Sequence, residues 1–140
     1  MSLKARLTGL AILLALNTAP AEASICQGKS MSLDETVDAI KATRGCQRAM
    51  KLFVDCAYTA SGDIDLGAAV EKKCERDFLG HLGRPEKRAY QREMGVCDRK
   101  YRDEDGTMYL SFTAFCRAEV ARRYSRRARK GLPSSFGSSR

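Results

Sequence analysis

Apolar residues recur along this chain at the three-to-four-residue spacing of helices, and no stretch alternates at the two-residue period of a strand. Ser32-Leu33-Asp34-Glu35 has the form of a capping box, and Leu33, Val37 and Ile40 then share one helical face. Beyond Gly45 a second stripe of Cys46, Ala49, Phe53 and Cys56 runs about one residue out of phase with the first. One straight helix does not align both, so a break or sharp bend near Gly45 is expected. Ser61-Gly62-Asp63 reads as a loop, with Asp63 or Asp65 capping a helix that carries Leu66, Val70, Cys74 and Phe78 and ends at Gly80. Pro85 suits the first position of a long helix with Tyr90, Met94, Cys97 and Tyr101 on one side. Gly106 closes that helix, and Tyr109, Phe112, Cys116 and Val120 give the buried stripe of a last helix running towards Lys130. From Gly131 onward, Pro133, Gly137 and four serines predict a disordered tail.

The first 23 residues stand apart from this pattern. Lys4 and Arg6 precede an uncharged, largely aliphatic run from Leu7 to Leu16, and Ala21-Glu22-Ala23 supplies the small residues of a signal-peptidase site. The run is about half of the ~20 apolar residues that a bilayer-spanning helix needs. Residues 1–23 therefore read as a cleavable secretory signal that leaves Ser24 as the new amino terminus and no transmembrane segment. Residues 24–130 are expected to form one helical domain and residues 131–140 its tail.

All six cysteines (Cys26, Cys46, Cys56, Cys74, Cys97 and Cys116) fall after that leader, and they sit on the apolar stripes. An even count behind a signal predicts a disulfide framework in an oxidising compartment. No two cysteines lie closer in sequence than Cys46 and Cys56, which leaves no CxxC pair for a zinc knuckle or a thioredoxin-type redox site. In a hairpin turning at Gly106, Cys97 lies nine residues before the turn and Cys116 ten after it, so the two face each other. The same test about Ser61 pairs Cys46 with Cys74 and leaves Cys26 for Cys56. The fold class expected is all-α: a small disulfide-braced bundle of four to five helices with a disordered basic C-terminal tail.

Charge changes the picture only at the C-terminal end. From Ala121 to Arg140 there are seven basic residues and no acid, while residues 24–120 carry 16 of each sign. Continuing the last helix places Arg122, Arg123, Arg126, Arg127, Arg129 and Lys130 on an arc of roughly 160°, with Ala121, Tyr124 and Ala128 outside it. Such an arc would attract phosphate or carboxylate polymers; a solvated, frayed terminus that only aids solubility is the equal alternative. Stacking aromatics for specific nucleic-acid binding are confined to Tyr124. The segment from Ala121 reads as a separable appendage whose removal leaves the body folded.

Catalytic chemistry is sparse. The single histidine, His81, lies in Gly80-His81-Leu82-Gly83 between two helices. An EF-hand loop starting at Asp63 would place Cys74 where Glu is required, and one starting at Asp103 would place Ala114 there. No metal or cofactor is expected, and Asp63, Asp65 and the Asp103-Glu104-Asp105 run read as capping and surface carboxylates. The leading expectation is an exported, non-enzymatic accessory or binding protein that meets an anionic envelope polymer, an anionic lipid surface or another exported protein. The alternative is a small secreted hydrolase or lyase using His81 with nearby carboxylates. An excess of Arg over Lys, the short leader and the lack of an N-x-Ser/Thr acceptor after it favour the bacterial periplasm.

Overall fold

The computed structural model describes Cys26 and residues 31–131. The expected signal at residues 1–23 and the expected tail beyond Gly131 lie outside the described residues. Five helices are present among the described residues: α1 (Leu33–Ala42), α2 (Cys46–Cys56), α3 (Asp63–Glu75), α4 (Arg84–Lys100) and α5 (Thr107–Gly131). No strand occurs among them. No helix among them is long and apolar enough to cross a membrane.

Local chemistry sets the boundaries. The Ser32 hydroxyl accepts from the Glu35 backbone at 3.3 Å and the Glu35 carboxylate accepts from the Ser32 backbone at 2.7 Å, closing the capping box of α1. Gly45 has φ +76°, a left-handed conformation that side-chain-bearing residues resist, and it turns the chain from α1 into α2. Helix α3 stops at Glu75, five residues before Gly80; the turn that follows drops Phe78 into the core. Pro85 sits one residue inside α4, which begins at Arg84, while the Glu86 carboxylate accepts the Gly83 backbone N–H at 2.7 Å.

Helix α3 is the hub. It packs against α1, α2 and, most extensively, α5, while α4 packs on the far flank of α5. Ile40, Phe53, Leu66, Val70 and Phe78 are fully buried around it. Phe115 of α5 stacks on Phe53 with ring centroids 4.0 Å apart. Phe78, Tyr90 and Tyr124 form a second aromatic group, at 5.0 to 5.4 Å, that ties the α3–α4 turn to α4 and α5.

Three disulfides clamp these layers, joining Cys26 to Cys56, Cys46 to Cys74 and Cys97 to Cys116, the pairs given by the hairpin spacing. Their Cα atoms are 5.4, 4.5 and 5.6 Å apart. The second bond joins α2 to α3 and the third joins α4 to α5. Each closes a loop long enough to contribute about 3 kcal/mol by restricting the unfolded chain.

The last helix departs from expectation in which face it buries. Phe112 is exposed, and Tyr109 and Cys116 are only half-buried; Val120 alone of the apolar stripe is buried. The face against α3 instead carries Ser111, Ala114, Ala118, Ala121 and Ser125. The cause is the closeness of the two helices. A Cβ placed on Gly67 of α3 would lie 2.9 Å from the Ala114 Cβ and 3.1 Å from the Ala114 carbonyl oxygen, so only small side chains fit the crossing. Bulkier residues are displaced to the flanks, where Phe115 meets α2 and Tyr109 and Phe112 meet Tyr101, the residue just past α4.

Asp63 anchors the same crossing. It is the first residue of α3 and is fully buried, accepting the backbone N–H groups of Tyr58 and Thr59 at 2.8 and 3.0 Å and the Ser111 hydroxyl at 2.6 Å. Its carboxylate thus closes the preceding loop and ties it to α5, whereas Asp65 is exposed. Three donors offset the cost of burying a charge.

Candidate functional site at the cationic end of the last helix

Helix α5 continues without a break through Gly131, carrying the six basic residues of the arc. Gly131, expected to begin the tail, is its final turn. Nor is the segment from Ala121 a separable appendage. Ala121, Tyr124 and Ser125 are buried, and the Ser125 hydroxyl donates to the Asp77 carboxylate in the turn after α3. Removing residues from 121 onward would open the core, because one face of this segment is the lid over Phe78 and Tyr90.

The six cations divide into two groups. Arg122 makes a two-point contact with Glu119, one turn back on α5, at 2.8 Å for each bond. Arg123 reaches across to Glu93 of α4 at 2.6 Å. Arg129 approaches Asp77 at 3.7 Å and lies against the backbone of Gly45, where an added Cβ would come 3.2 Å from its guanidinium. Arg123 and Arg129 brace α5 against the body, whereas the Arg122 pair lies within α5 itself. Arg126, Arg127 and Lys130 have no ion-pair partner among the described residues and are exposed. Arg127 lies over the Tyr124 ring, 5.3 Å from its centroid.

Arg123, Arg126, Arg127 and Lys130 line one shallow depression of about 180 Å³. Their spacing of three, four and seven residues puts them on one helical face. Glu93 organises the edge of this depression. It also accepts the Tyr124 hydroxyl at 2.7 Å, so a single carboxylate holds both the cation that lines the depression and the ring under Arg127. Partial desolvation opposes its charge, yet the Tyr124 and Arg123 donors outweigh that and hold its pKa below the ordinary carboxylate range. Burial and then Glu93 push the Tyr124 phenol up. The hydrogen bonds from Arg122 to Glu119 hold the guanidinium firmly charged by raising its pKa.

The partners Glu93 and Asp77 were not singled out by pattern. A signal for Glu93 existed: it lies one turn before Cys97, so the register set by the Cys97–Cys116 bond places it opposite the segment that follows Cys116. Asp77 gave none, since its position depends on where α3 stops. No known protein family, curated protein or solved structure matches this chain.

A second concavity lies elsewhere. No Cα of α3 comes within 8 Å of one of α4, and α5 floors the trough left between them. The two parts of this trough have volumes of about 390 and 470 Å³ and share Glu71, Glu75, Asp98 and Arg117. Arg117 is engaged on both sides, with Glu71 at 2.9 and 3.1 Å and Asp98 at 2.8 and 2.9 Å. Desolvation lowers the tendency of Arg117 to hold its proton, but these two carboxylates more than reverse that and raise its pKa. Glu75 accepts the Tyr90 hydroxyl at 3.0 Å, and desolvation raises its pKa. Burial and the Glu75 charge raise the Tyr90 phenol far above its usual range.

His81 is exposed on the α3–α4 connection and lines neither part of this trough. No group of three or more His, Cys, Asp or Glu among the described residues is placed to hold a metal ion. Asp103, Glu104 and Asp105 are exposed at the α4–α5 turn, beside Tyr101.

Proposed function

We propose that this chain is an exported, non-enzymatic accessory protein that presents the cationic end of α5 to an anionic envelope partner. The observation that carries the reading is the depression lined by Arg123, Arg126, Arg127 and Lys130, in which only Arg123 has a carboxylate partner among the described residues. Carboxylates compensate Arg122, Arg123 and Arg129 as part of the fold; the remaining three cations have no ion pair among the described residues, although Arg127 lies over the Tyr124 ring. The large aliphatic and aromatic side chains that are exposed lie elsewhere, at Val54, Tyr58, Ile64, Val96, Met108, Leu110 and Phe112. Electrostatic adhesion to an anionic polymer or headgroup layer thus fits this end better than insertion into a bilayer. Three disulfides with no free cysteine among the described residues fit an oxidising compartment, and the leader supports export to it, with the bacterial periplasm favoured. His81, exposed and outside the trough, lends no support to a hydrolase or lyase reading.

Retention of the oxidised protein on immobilised heparin, eluted with salt, tests the proposal. The combined variant Arg126→Gln, Arg127→Gln and Lys130→Gln is expected to lose retention at salt where the parent is held, with an unchanged thermal melt. Equal elution of parent and variant would rule out these three cations as the binding element.

A further inference from the structure

We infer that the depression at the end of α5 is a phosphomonoester site, selective for a terminal phosphate over a phosphodiester or a lone carboxylate. This rests on the reading of that end of α5 as anion-binding and adds the identity of the anion. A diffuse cationic stripe binds by charge density alone, with little regard for the chemistry of each anion. The geometry here is more defined, because two of the four cations are fixed before any ligand arrives. Glu93 holds the Arg123 guanidinium at 2.6 Å and the Tyr124 hydroxyl at 2.7 Å, and the Tyr124 ring lies under Arg127. Arg126 and Lys130, free of ion pairs among the described residues, complete the wall. Fixing a guanidinium in advance reduces the ordering cost of binding and favours ligands that match its planar donor fork.

Size and charge then select among anions. The depression is about 180 Å³ in volume and open on its outer side. That suits one phosphate group with the first atoms of whatever bears it, and falls short of the volumes that enclose drug-sized ligands. A phosphomonoester brings close to two negative charges and three terminal oxygens at neutral pH. Of the three cations without an ion pair, a monoester compensates about two, and each of its terminal oxygens can accept from one of them. A phosphodiester offers one charge and two such oxygens and leaves part of the cationic wall uncompensated.

The test uses the oxidised protein with phosphatidylcholine vesicles doped with phosphatidic acid, a monoester, or with phosphatidylglycerol, a diester, at matched surface potential. Glycerol 3-phosphate titrated in solution is the lipid-free arm. Binding to the phosphatidic acid vesicles is expected to be about ten-fold tighter than to phosphatidylglycerol, the effect of one added charge-assisted contact. The preference should shrink as pH falls from 7 to 5, because the second phosphate ionisation has a pKa near 6. Arg126→Gln with Lys130→Gln should remove it without altering the melt. Glu93→Gln should weaken it by loosening Arg123 while sparing binding to heparin. Saturable binding of glycerol 3-phosphate supports a free ester as the source of the phosphate, and binding of phosphatidic acid vesicles alone supports a headgroup. Equal affinity for both vesicle types, together with retention on heparin, overturns the monoester site and leaves the anion-binding reading standing. Loss of both overturns both.

Discussion

The two halves of α5 answer to different constraints, although they belong to one unbroken helix. In the first half the buried face is built of small residues, because Gly67 and Ala114 bring α3 and α5 too close for anything larger. Stability there comes from close packing, from the Asp63–Ser111 bond and from the Cys97–Cys116 clamp. In the second half Tyr124 and Ser125 still close the core, but the outward faces are cationic and split between cations paired with carboxylates and cations without an ion pair among the described residues. A substitution in the first half should therefore register in stability, and one among the free cations of the second should register in binding.

The largest expected effect is at the crossing. Gly67→Leu forces a side chain into the Ala114 backbone and should destabilise the fold by about 3 kcal/mol in chemical denaturation, near the upper end for overpacking. A loss under about 1 kcal/mol would show that the two helices separate easily, and the contrast between the halves would weaken.

A smaller effect sharpens the comparison around the second half, since two carboxylates, one bonded to Tyr124 of α5 and one to Tyr90 of α4, accept a tyrosine hydroxyl in unlike company. Glu93 has Arg123 beside it and a lowered pKa; Glu75 lacks an ion pair among the described residues and has a raised one. A carboxylate with a lowered folded pKa contributes stability that is present above the unfolded value of about 4.3 and is lost as pH falls through the folded one. Glu93→Gln should thus lower stability at pH 7 by no more than about 1 kcal/mol, the group being partly exposed and screened, and should flatten the acid limb of the stability curve. For Glu75 the sign is opposite: the folded state favours its proton, so stability falls as pH rises from the unfolded pKa through the folded one. Glu75→Gln removes that penalty and should leave stability at pH 7 unchanged or slightly higher. Matched losses from both substitutions would show that the arginine does not distinguish them.

The sequence was most legible where one chemical rule acts alone. The capping box at Ser32, the break at Gly45 and the disulfide pairing about Gly106 depend on a few residues of narrow capability, and each is found in place. Periodicity failed on α5 because it ranks residues by hydrophobicity, whereas the crossing with α3 ranks them by size. Ser111 and Ser125 are buried and Phe112 is not, a reversal that the close approach at Gly67 explains. The basic arc was legible as six cations but not as two groups of three. Arg122 has its partner Glu119 three residues back on the same helix, but placing Arg123 and Arg129 requires Glu93 and Asp77, which come from α4 and from the turn after α3.

The division of those cations is tested most directly by the salt dependence of binding to a polyanion of known charge spacing, for which a duplex DNA of fixed length and arbitrary sequence serves. Each cation that displaces a counterion adds just under one unit to the slope of log K against log salt. Replacing Arg126, Arg127 and Lys130 with Gln should reduce that slope by about two to three units. An unchanged slope in this variant, with its melt intact, would contradict the assignment of these three residues to the ligand.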